Sequence, residues 1–338
     1  MKARINMPSW ILIALLLAGC AAGDHPPERA GVIALGPITH SLERPSSTDL
    51  RVLNWNVSRQ SFFDQTEDFR RVLAMVNADL LILDEMPVDR DANALRRALQ
   101  GLGDPQRSWQ VIYGNSGGRE RSTIAAQDPL ERVTRFDQNP YPDALGKQWL
   151  AAANDARSQA RLQQGLQSGV TMVGARLTWQ GREVLIAGLD FQCCGDGGDS
   201  WEESRRRFEA GALRSAIDAS STAQTDGILV GGDFNAVNGP APLMIVQGES
   251  ARRDQLKAVQ ALHLDGIERW TWDGRGTPYA SGQLDHQMHG RALRPVNAFV
   301  LDLDDLSAPQ RQAHGLDGLD LTRLTPHRPV IVDYIWVD

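Results

Sequence analysis

Apolar and polar positions along the chain follow two rhythms, one of period two and one of period 3.6. The stretch 51–57 (Arg-Val-Leu-Asn-Trp-Asn-Val) reads as a strand. Phe69, Val72, Leu73 and Val76 fall at i, i+3, i+4 and i+7 and predict one face of a helix over 66–78. The run 79–83 (Asp-Leu-Leu-Ile-Leu) is continuously apolar after its first residue, as in a strand covered on both faces. Leu95, Leu99 and Leu102 predict a second helix over 92–102. The stretches 169–178 and 183–190 predict a hairpin turning at Gln180-Gly181. Ser200 and Glu203 give a capping-box signal for a helix running to about Ala219. Buried strands are expected again at 228–231 and 329–337. The region 115–135 reads as loop and strand, 144–166 as a polar helix, and 291–324 shows no clear period. Strands and helices in alternation predict an α/β layer fold.

The N-terminus follows a different pattern. Lys2 and Arg4 precede an apolar run, 10–18, too short to span a bilayer as a helix. This is the layout of a secretory signal. It ends in Leu17-Ala18-Gly19-Cys20, which matches the bacterial lipobox, with Cys20 as the lipidated residue. The alternative is an ordinary signal peptide with a chance cysteine. Several acyl chains, at ~0.8 kcal/mol per buried CH₂, make a stable anchor. The expected organisation is a signal peptide over 1–19, a Gly-, Pro- and Ser-containing tether over 20–48, and one domain over 49–338. The expected location is a lipid-anchored position in a bacterial envelope. Ala21, rather than an aspartate, favours the outer membrane if the host is Gram-negative.

Composition narrows the picture further. A chain of 338 residues, 42% hydrophobic and 23% charged, is globular rather than disordered. The net charge is −7, and loss of Lys2 and Arg4 with the signal takes it to −9. That balance argues against broad electrostatic binding of nucleic acid. Three cysteines cannot make a disulfide framework. Cys20 accounts for the odd one. Cys193 and Cys194 remain, adjacent, as a vicinal disulfide or as two thiols, and a structural role is expected over a redox one.

Several predicted strands end in acids and amides. Asn54 and Asn56 lie in the first, Asp84 and Glu85 follow the second, and Asp190 ends the hairpin. Gly231-Gly232-Asp233-Phe234-Asn235 follows the strand at 228, Asp285-His286 follows Gly282, and His327 precedes the last strand. Ligand sites in α/β sheets gather at strand ends. Carboxylates and amides suit a hard cation such as Mg²⁺, which also neutralises phosphate charge. Taken singly, each residue reads equally well as a strand-end surface group, an Asx turn or a structural histidine. Their order along the chain is what carries information.

In that order, the segments 52–57, 79–85, 232–236, 283–286 and 327–330 resemble the endonuclease/exonuclease/phosphatase superfamily, the DNase-I-like phosphoesterases. The resemblance implies a four-layer α/β sandwich, two packed mixed β-sheets flanked by helices. It implies that Asn56 and Glu85 hold Mg²⁺ or Mn²⁺. It further implies that Asp233 orients or deprotonates the attacking water, that Asn235 helps hold the phosphate, and that His327 is a catalytic histidine oriented by Asp285. Asp190 and Asn54 are further possible site residues. Two departures stand out. Asp190 replaces a histidine usual at the end of the hairpin strand, and Pro326 replaces the aspartate usual before the late histidine. The expected function is metal-dependent phosphoester hydrolysis on nucleic acid, a phospholipid head group or a small phosphoester, with the membrane as the lipid anchor's partner and no protein partner. The alternative is a catalytically impaired relative acting as an envelope binding lipoprotein. Arg205-Arg206-Arg207 is expected to be a solvated helix face, and Arg119 or Arg121 to be a surface turn or a phosphate contact.

Overall fold

The computed structural model describes residues 38–195, 197–249 and 254–337. The signal, Cys20 and the first part of the expected tether lie outside the described residues. Among them the chain forms strands β1 (Leu50–Asn56), β2 (Leu80–Pro87), β3 (Gln110–Tyr113), β4 (Glu120–Ala126), β5 (Leu130–Arg132), β6 (Met172–Trp179) and β7 (Arg182–Asp190). Then follow β8 (Gly227–Asp233), β9 (Lys257–Ala258), β10 (Leu262–His263), β11 (Asp285–His289), β12 (Leu293–Val300) and β13 (Val330–Trp336). One sheet has the order β10-β12-β13-β1-β2-β4-β3 and the other β5-β6-β7-β8-β11-β9.

Strand alternation builds three hydrophobic layers from these two sheets. Val52, Ile82, Ile124, Ile186, Leu229 and Val332 point between the sheets. Leu53, Trp55, Leu81 and Leu83 point outward, against Phe69, Val72, Val76, Leu95 and Leu99 of the helices Thr66–Val76 and Ala92–Leu99. Leu185, Ala187, Leu189 and Val230 point outward from the second sheet, against Leu213 and Ile217 of the helix Trp201–Ser220. The architecture is the four-layer α/β sandwich that the resemblance implied. The hairpin β6–β7 turns at Gln180 and Gly181, both at positive φ, as its sequence predicted.

Some elements differ from expectation. The polar helix at 144–166 is two helices, Asp143–Ala152 and Ala156–Ser168, the second capped by Asp155 accepting from Arg157 N and Ser158 N. Ser200 caps its helix, but Glu203 does not close a capping box. Its buried carboxylate pairs instead with Arg206 and Arg207, each at 2.9 Å. The arginine run is therefore solvated only at Arg207. Arg205 and Arg206 are buried, and Arg205 bonds Glu209, Gln192 and the Tyr141 hydroxyl. The region 291–324 holds β12 and the short helices Ala308–Ala313 and Leu321–Leu324. The described end of the expected tether, 38–48, is bonded to the domain. Thr39 N donates to Val296 O, and Arg44 pairs with Asp79 at 2.6 Å.

Candidate active site

The register of the strands brings the polar residues together. Parallel pairing sets Asn56 beside Asp84 and Asp190 beside Asp233, and antiparallel pairing sets Asp233 beside Asp285. All five lie at one end of the inter-sheet layer, where the apolar alternation of their strands gives way to polar side chains. Glu85 is placed differently. Simple alternation would send it outward with Leu83. A register shift between Leu83 and Met86, with Glu85 at φ 53°, turns its carboxylate toward Asn56 instead. Bulges next to active sites often re-aim a side chain in this way.

The result is one chain of polar contacts. Asn56 Nδ2 donates to Glu85 Oε1 and to Asp233 Oδ2, both at 3.2 Å, while Asn56 Oδ1 accepts from Ser58 N. His327 Nδ1 lies 2.8 Å from Asp285 Oδ2, and its Nε2 faces Asp233 Oδ2 at 3.9 Å. Asn235 sits in the left-handed region at φ 48°, which asparagine tolerates. Its backbone N donates to Asp233 Oδ1, and its Nδ2 donates to Phe191 O. Gly232, at φ 148°, lets β8 press against β7, since a Cβ there would lie 2.0 Å from Leu189 O.

Charge in this end is strongly one-sided. Burial, with Asp285, Asp233 and Glu85 nearby, holds the Asp84 carboxyl well above its ordinary range, and both its oxygens lack a partner. Burial and the charges of Glu85 and Asp233 do the same to Asp190. Asp233 is pushed up to about 7, by burial first and by Asp285 next. For His327, burial works downward, but the charge and hydrogen bond of Asp285 outweigh it and raise the ring to about 9. Asp233, Asp285 and His327 lie close enough to surround an ion, and His327 is at the same time paired with Asp285 at 2.8 Å. His286, next in sequence, is buried against Phe234 and lowered to about 4 by that burial, so it stays neutral.

Asn56, Glu85, Asp233, Asp285 and His327 thus share one cluster, with Asn235 joined through its own backbone N to the Asp233 carboxylate. Asp190 lies beside Asp233 in register. Asn54 is one step deeper on β1, fully buried, with neither polar atom partnered. Three neighbours were not anticipated from the sequence. Arg59 pairs with Glu85 at 3.3 Å and Glu120 at 3.2 Å. Glu120 lies in the segment read for its arginines, yet Arg121 turns back onto Gly117 O and Gly118 O. The Thr325 hydroxyl donates to Asn56 O and accepts from His327 N, joining the two halves of the cluster. Thr325 carries no sequence signal beyond lying two residues before His327. A cavity of about 490 Å³ beside Asp218, Ile228 and Arg291 lies at the opposite end of β8 from this cluster.

The sequence profile of the Endonuclease/Exonuclease/phosphatase family matches residues 53–307. No curated protein matches the chain by sequence. Solved structures do match in fold. D. rerio TDP2 complexed with single strand DNA product superposes with a TM-score of 0.53 at 14% identity, over 85% of this chain and 98% of that one. The endonuclease/exonuclease/phosphatase from Bacteroides vulgatus gives 0.54 at 15% identity, over 86% and 100%. ANGEL2, a 2',3'-cyclic phosphatase, gives 0.50 at 14% identity, over 85% and 95%. With its profile matched across well over half the sequence and its sandwich shared with these structures, the chain belongs to the endonuclease/exonuclease/phosphatase family of phosphoester hydrolases.

Proposed function

We propose that the chain is a divalent-metal-dependent phosphoesterase that hydrolyses its substrate by activated water, and that Cys20 anchors it in the cell envelope. The observation that carries the catalytic reading is the continuous contact chain from Glu85 through Asn56 and Asp233 to the His327–Asp285 pair. The donor set fits a hard cation. It is made of oxygens, and it crowds more carboxyl groups together than Arg59 and His327 balance, with Asp84 held protonated more tightly than usual for want of a nearby cation. Glu85 would hold Mg²⁺ or Mn²⁺, with Asn56 fixing its carboxylate. When bound, the cation supplies charge neutralisation to the phosphate oxygens.

The remaining steps belong to the protein. Asp233, fixed by Asn56 and by Asn235 N, accepts the proton of the attacking water. His327 carries its proton on the face turned to Asp233 and donates it to a phosphate or leaving oxygen. Asp285 keeps that ring in one orientation, as in other histidine–carboxylate pairs. Asn235, locked to Phe191 O, borders the space where phosphate would bind.

Three substrate classes remain: nucleic acid, phospholipid head group and small phosphoester. The TDP2 structure holds single strand DNA product and ANGEL2 is a cyclic phosphatase. The acidic balance of this chain disfavours non-specific DNA, and an anchored enzyme has lipid within reach. No described helix is long and apolar enough to cross a membrane, so the proposed tether depends on Cys20. Asp190 and Pro326 favour a second reading, a relative that binds without turnover. One panel separates the two. Plasmid DNA, phosphatidylcholine vesicles and bis-p-nitrophenyl phosphate are tested with Mg²⁺ omitted and restored. Metal-restored turnover of any one supports the enzyme, and silence across all three supports the binding relative. A Cys20→Ser variant should leave the membrane fraction, and an unchanged distribution would defeat the anchor.

A further inference from the structure

Cys193 and Cys194 lie outside the contact chain described above, three and four residues beyond Asp190. Both are exposed, and their sulphurs are 2.9 Å apart, within about 1 Å of a covalent S–S bond. The fold imposes this closeness. Cys194 is in the left-handed region at φ 71°, which a residue with a Cβ seldom adopts. Buried Arg206 holds it there, with both guanidinium nitrogens donating to Cys194 O at 3.2 Å and one also donating to Gln192 O. Gln192 is fixed in turn, its N donating to Glu209 Oε2 and its Oε1 accepting from Arg205. On the other side, Asn238 Nδ2 donates to Gly195 O. A Cβ at Gly195 would lie 2.6 Å from Ser200 Oγ, so the chain can turn that sharply only with glycine. Two buried arginines and a left-handed cysteine are an expensive arrangement for a bare surface loop.

From this geometry we infer that Cys193 and Cys194 form a redox modification site, a dithiol that closes to a vicinal disulfide by exchange with a small or protein disulfide. The Cys194 sulphur attacks one sulphur of the oxidant and expels the other half as a thiol. Cys193 then loses its proton and attacks the Cys194 sulphur, forming the Cys193–Cys194 bond and expelling the second half as a thiol. Two protein thiols are oxidised and one disulfide is reduced to two thiols. The order follows from the pair itself. The contact with Cys193 lowers the Cys194 thiol to about 7, while the same contact raises Cys193. Cys194 therefore supplies the thiolate, the nucleophile in exchange. The closed ring is strained and so readily reduced again. This redox role differs from the structural one expected from the sequence.

The test uses the full chain treated with excess oxidised glutathione, then alkylated, denatured and digested. The tryptic peptide 183–205 carries both cysteines and no other. It should be two hydrogens lighter than its dithiol form and free of glutathione. In Cys193→Ser, glutathione should stay on Cys194, because nothing remains to displace it. In urea, where Arg206 no longer holds the loop, the wild-type adduct should also persist. Two alkylated thiols, or a retained glutathione in the native wild type, would overturn the site. Ring closure as fast in urea as in buffer would overturn the role given to the fold. None of these readings depends on hydrolytic activity.

Discussion

Replacing Asp285 with asparagine should switch the charge carried by His327 at neutral pH. Both side chains are buried, and their contact is 2.8 Å. Burial alone would push the ring below its ordinary 6.5, yet Asp285 and its neighbours hold it at about 9. That difference is about 300-fold in proton affinity, or about 3 kcal/mol at 1.36 kcal/mol per tenfold. The folded value lies above the unfolded one, so this stabilisation is complete below pH 6.5. It is lost as the pH rises through about 9. In Asp285→Asn the two largest raising influences go, while the burial and the weaker pull of Asp233 and Glu85 stay, so the ring should titrate well below 9, close to its ordinary 6.5 or lower. The assay is an NMR titration of labelled histidine in metal-free protein, with denaturant unfolding of both forms across the same range. The stability gap between them should be about 3 kcal/mol in mild acid and should narrow by that amount above about pH 9. A native His327 that titrates near 6.5, or one that stays near 9 in the variant, would refute the reasoning.

Three further outcomes follow from the same structure. Arg206→Met leaves Glu203 buried without its only buried arginine partner among the described residues and should cost about 3–5 kcal/mol in urea unfolding. The loop at Cys194 should gain protease sensitivity in the same variant. Gly232→Ala places a Cβ 2.0 Å from Leu189 O and should lower stability by more than about 3 kcal/mol, measured as a shift in denaturation midpoint. Glu85→Gln should weaken Mg²⁺ binding by calorimetry while circular dichroism stays native, because the amide keeps the side chain's size but loses its charge.

Much of the fold was legible because its central strands are buried on both faces. The continuous run in β2 and the alternation in β1 and β7 have few other solutions. The site was legible for a related reason. Asn54, Asn56, Asp190 and Asp233 interrupt apolar strands at inward positions, where a polar group has to be explained. Other features have no local signal. The direction of Glu85 depends on a bulge and a positive φ. β12 escaped notice because Pro295 and a register shift before Asn297 break its period. The arginines of the helix Trp201–Ser220 look solvated because a period of apolar residues cannot reveal a face buried through ion pairs. Glu209, Gln192 and Tyr141, which satisfy Arg205, come from three separate segments.

The central claim is that Asp233, held between Asn56 and His327, activates water in a metal-dependent reaction. The most direct measurement is the Mg²⁺-dependent hydrolysis rate of wild type and Asp233→Asn on one substrate from the panel, both shown folded by circular dichroism. The account predicts a rate in the wild type that vanishes with chelator and returns with Mg²⁺, and a fall of about 10²–10⁴-fold in the variant. A metal-independent rate, or an Asp233→Asn protein that keeps full activity, would contradict it.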